Sequence, residues 1–444
     1  MNMLDIIAKK RDKQTLTREE IAWFVEAVTR GDAPDYQTAA LLMAIVINGM
    51  DHDETVALTM AMANSGRVLD LSDITPYAVD KHSSGGVGDK TSLVVLPLVA
   101  SCGVKVAKMS GRGLGLTGGT LDKLESIPGY NVNLSETEFR ELAKANGIVL
   151  AGQSGELAPA DGKLYALRDV TGTVQSLPLI VSSIMSKKIA AGARGIVLDV
   201  KVGTGAFMKS VQDGVELAQA MVDIGVSAHR DMIAMVTDMN QPLGEAVGHA
   251  LEIREVIDVL RGDGPADFRE HCLEVSAHML WLAGRGERWT DYDRINDQLA
   301  DFLDDGKAFA TFRAMVEAQG GDVEVVDNPD LLPRAAYVET IRAVQERYIA
   351  GVDAETIARV VFELGGGREK KTDSIDHAVG AVVHVNVGDA VQPGQALVTL
   401  HANDRDKLAR AVSLVHNAIT YGRDEVPPLP HVYETFVRKA NRAD

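Results

Sequence analysis

Three short apolar runs, each followed by a glycine-rich loop, constrain the fold of this chain most strongly. The runs and their loops are, in order, 77–81 with 83–88, 104–109 with 110–120, and 195–202 with 203–205. Helical patterns follow such loops. This succession predicts an α/β domain in which strands lead into helices through tight turns.

Helical segments flank this region and interrupt it. A capping box begins at Thr17, and apolar residues follow at helical spacing until Gly31. Segment 36–48 is apolar nearly all round, so we expect it to be deeply buried or part of a subunit interface. Residues 161–169 and 178–191 also have helical patterns, which indicates that the chain leaves the α/β domain and returns to it.

Composition narrows the class of protein. At about 150 residues per domain, 444 residues predict two to four folding units. The net charge of −18 argues against a general nucleic-acid binder, and any anionic substrate needs a local cluster of cations. Cys102 and Cys272 are too few for a disulfide framework or a cysteine-rich zinc site. With no signal-peptide pattern and no apolar run near the roughly 18 residues of a membrane span, we expect a cytoplasmic protein.

The first two glycine loops carry side chains that suit phosphate. Loops after strands place backbone N–H groups at helix N-termini, where hydrogen bonds and the helix dipole favour an anion. Glycine by itself also serves tight turns, but turns alone do not explain matched lysines and hydroxyls in both loops. The candidate ligands are Lys81, Ser83, Ser92, Lys108, Ser110 and Thr120.

Two nucleotide-binding patterns are nearly matched here. Residues 113–118 satisfy GxGxxG, but segment 119–123 is not the small, apolar helix start that a dinucleotide fold packs on its sheet. In 85–92, Asp89 breaks the spacing of a nucleoside-triphosphate loop. Neither pattern predicts a nucleotide cofactor.

A second group of polar residues lies on the returning helices. Ser183 and Lys187 are four positions apart, and Tyr165 and Arg168 are three apart, so each pair shares a helix face. The four could bind a planar heterocycle with carbonyl oxygens, although spacing alone favours a solvated basic face. His82 follows the first strand, where it is placed for acid–base chemistry, although a single histidine is more often structural.

Three long motifs carry a resemblance to a known family. Residues 80–92 read DKHSSGGVGDKTS, residues 110–125 read SGRGLGLTGGTLDKLE, and residues 165–193 read YALRDVTGTVQSLPLIVSSIMSKKIAAGA. They resemble the thymidine and pyrimidine-nucleoside phosphorylase family, and the resemblance runs over essentially the whole chain.

That resemblance implies an α/β fold with a separate helical domain and a homodimer formed through it. The expected parts are a small α domain (1–65 and 160–192), an α/β phosphate-binding domain with a mixed sheet (70–155 and 195–330), and a β-rich C-terminal α/β module packed on the latter (331–444). Within this module, 378–400 has turns similar to those of biotinyl and lipoyl carriers. Because no lysine occurs from 377 to 403, we interpret the segment as structural.

Residue roles follow from the resemblance position by position. It implies that the six candidate ligands above bind phosphate, that Tyr165, Arg168, Ser183 and Lys187 hold the pyrimidine, and that His82 lies near base and ribose. The lysine at position 108 resembles the residue that the family's branch accepting both uridine and thymidine has there. Leu116 stands where the family usually has histidine, in a variable part of the motif.

A potassium ion is the one metal that the resemblance implies. The matching positions are Gly88, Lys90, Leu243, Ala246 and Glu255. Lys90 replaces a threonine there, and its ammonium could stand where the cation would sit. The sequence leaves the metal open.

The implied reaction is reversible phosphorolysis of uridine, thymidine and deoxyuridine to the free base and α-D-ribose or 2-deoxyribose 1-phosphate. Phosphate attacks C1′ with inversion, Arg168 and Lys187 stabilise the departing base, and His82 protonates or hydrogen-bonds its O2. No organic cofactor is expected. The alternatives are a thymidine-restricted phosphorylase, a nucleoside hydrolase, a dinucleotide-dependent dehydrogenase and a non-catalytic anion-binding regulator.

Overall fold

A computed structural model describes residues 1–113, 116, 118–284, 291–370 and 372–440. The elements of the first half are α1 (Met3–Arg11), α2 (Arg18–Arg30), α3 (Asp35–Asn48), α4 (His52–Ala63), β1 (Val79–Ser83), α5 (Thr91–Ser101), β2 (Val106–Ser110), α6 (Thr120–Leu124), α7 (Glu136–Asn146), β3 (Ile148–Gly152), α8 (Pro159–Thr171), α9 (Leu177–Ala190) and β4 (Gly195–Val202). Those of the second half are α10 (Val211–Ser227), β5 (Asp231–Asp238), β6 (Ala246–Val247), α11 (His249–Leu260), α12 (Ala266–Gly284), α13 (Tyr292–Asp304), α14 (Lys307–Ala318), α15 (Val323–Asp327), β7 (Tyr337–Arg342), β8 (Arg347–Val352), α16 (Ala354–Val361), β9 (Gly380–Val383), β10 (Ala390–Val391), β11 (Ala396–Ala402), α17 (Arg405–Ala418), β12 (Ile419–Gly422) and β13 (Val432–Arg438). A 3₁₀ turn covers Pro329–Leu331 and a π-helical turn covers Phe362–Gly366.

The N-terminal helices share one apolar core with the two returning helices. The capping box predicted at Thr17 is present, and Gly31 ends α2 in the left-handed conformation that favours glycine. Buried side chains of α1 to α4 pack with Ala160 and Leu164 of α8 and with Leu179 of α9. Helix α9 also packs on its other side against the α/β core, so it connects the two parts of the molecule.

The central sheet has the strand order β1-β4-β5-β13 among the described strands. Strands β1, β4 and β5 are parallel, whereas β13 pairs antiparallel with β5, which makes the sheet mixed as expected. Strand β13 comes from the C-terminal segment, so that segment completes the central sheet as well as forming its own. The predicted fold class, helical domain plus mixed α/β domain, is confirmed.

A second parallel pair, β2 with β3, lies beside the central sheet. Strands β1 and β2 both end in a serine, Ser83 and Ser110, just before their glycine loops. His82 and Ser83 belong to β1 itself, so the first strand runs two residues beyond the sequence prediction. The two carboxyl ends bring both loops to one edge, where ligands bind in open α/β sheets.

The C-terminal segment forms two small antiparallel sheets, β6-β9-β11-β7 and β10-β8-β12, among the described residues. Strand β6 comes from the α/β domain, and its pairing with β9 anchors the segment there. The carrier-like residues 378–400 supply β9, β10 and much of β11, which agrees with a structural role. In the described ranges, none of the helices combines the length and apolar character needed to cross a bilayer.

Candidate active site

A cavity of about 300 Å³ opens at the edge where β1 and β2 end. Both glycine loops, the start of α5 and the last turns of α9 line it. The sequence-predicted residues in its wall are His82, Ser83, Ser92, Lys108, Ser110, Thr120 and Lys187. Residues that are about 100 positions apart in the sequence, such as His82 and Lys187, therefore meet in one cleft.

Four predicted residues lie outside the wall of this cavity. Lys81 is buried behind it, and Ser183 is buried one helical turn before Lys187 on α9. Arg168 is buried in the helical domain, whereas Tyr165 is 44% exposed on the same helix. The cleft brings the phosphate candidates together more completely than the pyrimidine candidates.

The first loop offers a helix N-terminus to an anion. Helix α5 begins at Thr91, so the backbone N–H groups of its first turn point out of the helix; those of Thr91 and Leu93 bind Asp89 Oδ1 at 3.3 Å and the carbonyl of Lys90 at 2.9 Å. Gly88 has a φ of +69°, and an added Cβ would lie 2.8 Å from the carbonyl oxygen of Leu243. Only glycine fits there, because the turn needs both the left-handed conformation and the close approach.

Lys81 places a buried ammonium group without a hydrogen bond beneath this loop. Its side chain is 1% exposed, and within the described part of the chain its Nζ has no hydrogen-bond acceptor. Its nearest carboxylates are Asp199 at 3.8 Å and Asp89 at 3.9 Å. A buried ammonium that lacks hydrogen bonds is costly unless a ligand supplies them, which suits a bound anion.

Asp80 organises the other cations of the cavity. Its Oδ1 accepts a hydrogen bond from Lys108 and its Oδ2 one from Lys188, both at 2.9 Å. Burial favours the neutral acid, but the two ammonium groups outweigh it and hold the pKa of Asp80 far below its ordinary range. Burial conversely lowers the pKa of Lys108 to about 7, against the effect of Asp80.

His82 lies on the same face of β1 as Asp80 and lines the cavity. Burial and the neighbouring charges of Lys188 and Lys108 keep the pKa of His82 well below its ordinary value. Its ring is therefore neutral at physiological pH. Such a ring can donate a hydrogen bond from one nitrogen but carries no imidazolium proton to give away.

The pyrimidine candidates form a second polar group on α8 and α9. Lys187 Nζ lies 2.5 Å from Asp161 Oδ2 and 3.0 Å from Ser183 Oγ. Arg168 donates hydrogen bonds to the carbonyl oxygens of Thr173, Val174 and Leu179. Since guanidinium has five N–H donors, two remain that engage no described residue.

Sequence reasoning left several charged members of the site without a role, among them Asp80, Asp161 and Lys188. Asp161 precedes Tyr165 by four positions and Arg168 by seven, so helical spacing would have placed it on their face. The alternation of strand β1 puts Asp80 on the face of His82. Lys188 gave no such signal.

The second glycine loop is described in part. Residues 114, 115 and 117 of the GxGxxG pattern lie outside the described residues. Asp122 accepts from the backbone N–H groups of Gly113 and Gly119 and pairs with Arg368 at 2.8 Å. Leu116 is partly buried and packs against the main core.

The residues implied for potassium do not fit a metal ion. The ammonium of Lys90 binds the carbonyl oxygens of Leu243 at 2.8 Å and Ala246 at 3.0 Å. It also pairs with Glu255 at 2.5 Å, and the lysine side chain is fully buried. The oxygens that a cation would need are already taken, and an added cation would meet the charge of Lys90.

Comparison with known proteins identifies the family. A model described as the glycosyl transferase family, a/b domain, matches residues 75–309, and the helical bundle domain of that family matches 4–66. A model of the pyrimidine nucleoside phosphorylase C-terminal domain matches residues 348–422.

Curated relatives agree. The chain is 54% identical to a pyrimidine-nucleoside phosphorylase of Geobacillus stearothermophilus, over 91% of this chain and 92% of that one. It is 50% identical to one of Staphylococcus epidermidis, over 97% and 99%. The crystal structure of anthranilate phosphoribosyltransferase from Thermus thermophilus matches with a TM-score of 0.58 and 18% identity over 71% of this chain and 99% of that one, which shows a shared fold. The chain is thus a pentosyltransferase that belongs to the pyrimidine-nucleoside phosphorylase family.

Proposed function

We propose that this chain catalyses the reversible phosphorolysis of pyrimidine nucleosides, with uridine, thymidine and deoxyuridine as substrates. A phosphate oxygen attacks C1′ of the sugar, the C1′–N1 bond breaks, and the base leaves with the bond electrons. The products are the free base, after it gains a proton, and α-D-ribose or 2-deoxyribose 1-phosphate. The activity for which the relatives are named supports this proposal, as does the single cleft that Lys187 shares with most of the phosphate candidates.

The observation that carries the proposal is the presence of positive charge on two sides of one cavity, behind the wall on one side and in the wall on the other. Lys81, with its buried and unbonded ammonium, lies on the phosphate side together with the N-terminus of α5. Lys187 reaches the cavity from α9 on the other side. Phosphate and a departing anionic base each need positive charge, and the arrangement provides one source for each.

On the phosphate side we assign Lys81, Ser83, Ser92, Lys108, Ser110 and Thr120. The hydroxyls of Ser83, Ser92, Ser110 and Thr120 all line the cavity, which supports the assignment. Asp80 orients Lys108 through one carboxylate oxygen, and Lys188 forms an ion pair with the other carboxylate oxygen of Asp80. Holding phosphate in line with C1′ replaces a bimolecular encounter and removes a large part of the barrier.

On the base side we assign Tyr165, Arg168, Ser183 and Lys187. As the C1′–N1 bond breaks, negative charge spreads over N1, O2 and O4 of the base. Lys187 and the two remaining N–H groups of Arg168 stabilise that charge, and neutral His82 donates a hydrogen bond to O2. Since Arg168 and Tyr165 lie away from the cavity wall, closing of the helical domain on the α/β domain brings them to the substrate.

Base release measured with and without phosphate tests the activity. We expect uracil and thymine to form only when phosphate is present, with one equivalent of the α-sugar 1-phosphate. Base release that is independent of phosphate would instead identify a nucleoside hydrolase. Binding of NAD(H), or binding of phosphate and uracil without turnover, would favour a dehydrogenase or a non-catalytic regulator.

A homodimer formed through the helical domain is part of the proposal. Helix α3 buries Leu41, Leu42 and Ile45 but leaves Tyr36 and Ile47 more than two-thirds exposed. Tyr36, Met43 and Ile47 are seven and four positions apart, so they share one outer face of the helix. An exposed apolar stripe of this kind favours contact with a second copy.

The predicted cytoplasmic location stays a prediction.

A further inference from the structure

Lys90 makes a closed set of contacts that belongs to neither substrate group. Its ammonium donates hydrogen bonds to two backbone carbonyls, those of Leu243 and Ala246, and forms an ion pair with the carboxylate of Glu255 at 2.5 Å. Glu255 in turn accepts hydrogen bonds from the backbone N–H groups of Glu245 and Ala246. The charge of Glu255 is therefore balanced by Lys90 without any bound ion.

The same cluster fixes the first phosphate loop. Lys90 stands immediately before α5, and its backbone N–H donates to the carbonyl of Gly88 at 2.9 Å. Asp89, the residue before Lys90, and Ser92, two residues after it, both line the cavity. Pulling Lys90 onto segment 243–246 thus sets the position of the loop and of the first turn of α5.

Carbonyl and carboxylate oxygens are the ligands that hard monovalent cations take in proteins. Here an ammonium on the chain itself occupies the centre of such a set, with the same single positive charge opposite Glu255. We infer that Lys90 is a built-in monovalent cation that positions the phosphate loop, so that catalysis by this chain is independent of potassium. Removing the ammonium while leaving space at its centre creates a potassium-dependent enzyme.

The test compares Lys90→Thr with the wild-type chain at constant ionic strength in potassium, sodium and tetramethylammonium chloride. Wild-type phosphorolysis of uridine should change less than about twofold among the three salts. Lys90→Thr should lose about tenfold or more of kcat/KM for phosphate in tetramethylammonium, and potassium should restore most of it. Sodium should restore less activity than potassium, because the oxygens of Leu243, Ala246 and Glu255 surround a space the size of an ammonium ion, which is larger than sodium.

Two further variants separate this role from an ordinary buried ion pair. Lys90→Met fills the same space with an apolar chain, so potassium should not rescue it. Lys10→Thr removes another buried lysine, which pairs with Glu54 at 2.7 Å in the helical domain, and its deficit should be the same in all three salts.

Thermal unfolding supplies a readout that does not depend on the proposed function. Potassium should raise the Tm of Lys90→Thr by about 3 °C or more over tetramethylammonium, and leave the wild type and Lys10→Thr unchanged. Activation of the wild type by potassium would overturn the inference, as would a folded Lys90→Thr whose activity and Tm ignore the choice of salt. If the wild type shows no phosphorolysis, the Tm comparison still decides the matter.

Discussion

The Nζ atom of Lys187 lies 2.5 Å from Oδ2 of Asp161, so a carboxylate on α8 holds the lysine of α9 that we assign to the base. Asp161 is 5% exposed, and in the described residues its other oxygen has no hydrogen-bond partner. Asp161 also acts electrostatically on Arg168. One buried carboxylate therefore orients Lys187 and adds negative charge near Arg168.

Loss of either cation should slow the reaction strongly. Arg168→Ala or Lys187→Ala removes a contact that strengthens as the base becomes anionic, so kcat/KM for uridine should fall by about 10²-fold or more. Steady-state phosphorolysis measures this. The control is Lys163→Ala, since Lys163 lies on α8 but binds the carbonyl of Thr29, and its activity should stay near normal. Near-normal activity of Arg168→Ala or Lys187→Ala would refute the assignment.

Lys108 should govern tolerance of the ribose 2′-hydroxyl. Its ammonium binds Asp80 and the carbonyl of Lys81, which leaves one N–H that no described residue accepts. That donor can serve the hydroxyl directly or through water, and an unpaired hydroxyl costs about 1–3 kcal/mol. Lys108→Met should therefore lower kcat/KM for uridine about ten- to hundredfold more than for thymidine. An unchanged ratio of the two would mean that Lys108 serves phosphate alone.

Phosphate use should depend on the charge of Lys108. Because its pKa is lowered to about 7, Lys108 is charged below that pH and loses its charge as the pH rises through it. The ratio of wild-type to Lys108→Met kcat/KM for phosphate should thus fall between about pH 6 and pH 9, and taking the ratio removes the titration of phosphate itself. A pH-independent ratio would contradict this.

The lowered pKa of Lys108 also makes the free energy of unfolding depend on pH. Folding lowers the pKa of Lys108 below its ordinary 10.5, so the folded state disfavours the proton. The resulting cost is full below about pH 7 and fades as the pH rises toward that ordinary value. Lys108→Met loses the partner of Asp80 at every pH, but the difference in unfolding free energy between variant and wild type, measured by urea unfolding from about pH 6 to pH 10, should be more favourable to the variant at the acidic end.

Assembly should depend on the outer face of α3. Ile47 is 71% exposed, and Ile47→Asp places a charge in the proposed contact between subunits. Sedimentation at micromolar concentration should give a dimer for the wild type and mostly monomer for the variant. Val344→Asp, at an 88% exposed position of the C-terminal segment, should remain dimeric. A monomeric wild type would contradict the proposed homodimer.

Local sequence determined the elements and the short-range pairs. The cap at Thr17, the stop at Gly31 and the three strand–loop units depend on neighbouring residues, so their patterns were legible without a structure. The contact of Ser183 with Lys187 likewise follows from helical spacing. The motifs at 80–92, 110–125 and 165–193 were long enough to indicate the family.

Tertiary structure decided which charges meet. Lys108 and Lys188 are 28 and 108 residues from Asp80, and no periodicity links them. Nor does the sequence show that β13 completes the central sheet beside β5, or that the ammonium of Lys90 donates hydrogen bonds to the carbonyl oxygens of Leu243 and Ala246. The physical reason is that buried charges are stable only with partners, and the fold, not the spacing along the chain, brings those partners within hydrogen-bond distance.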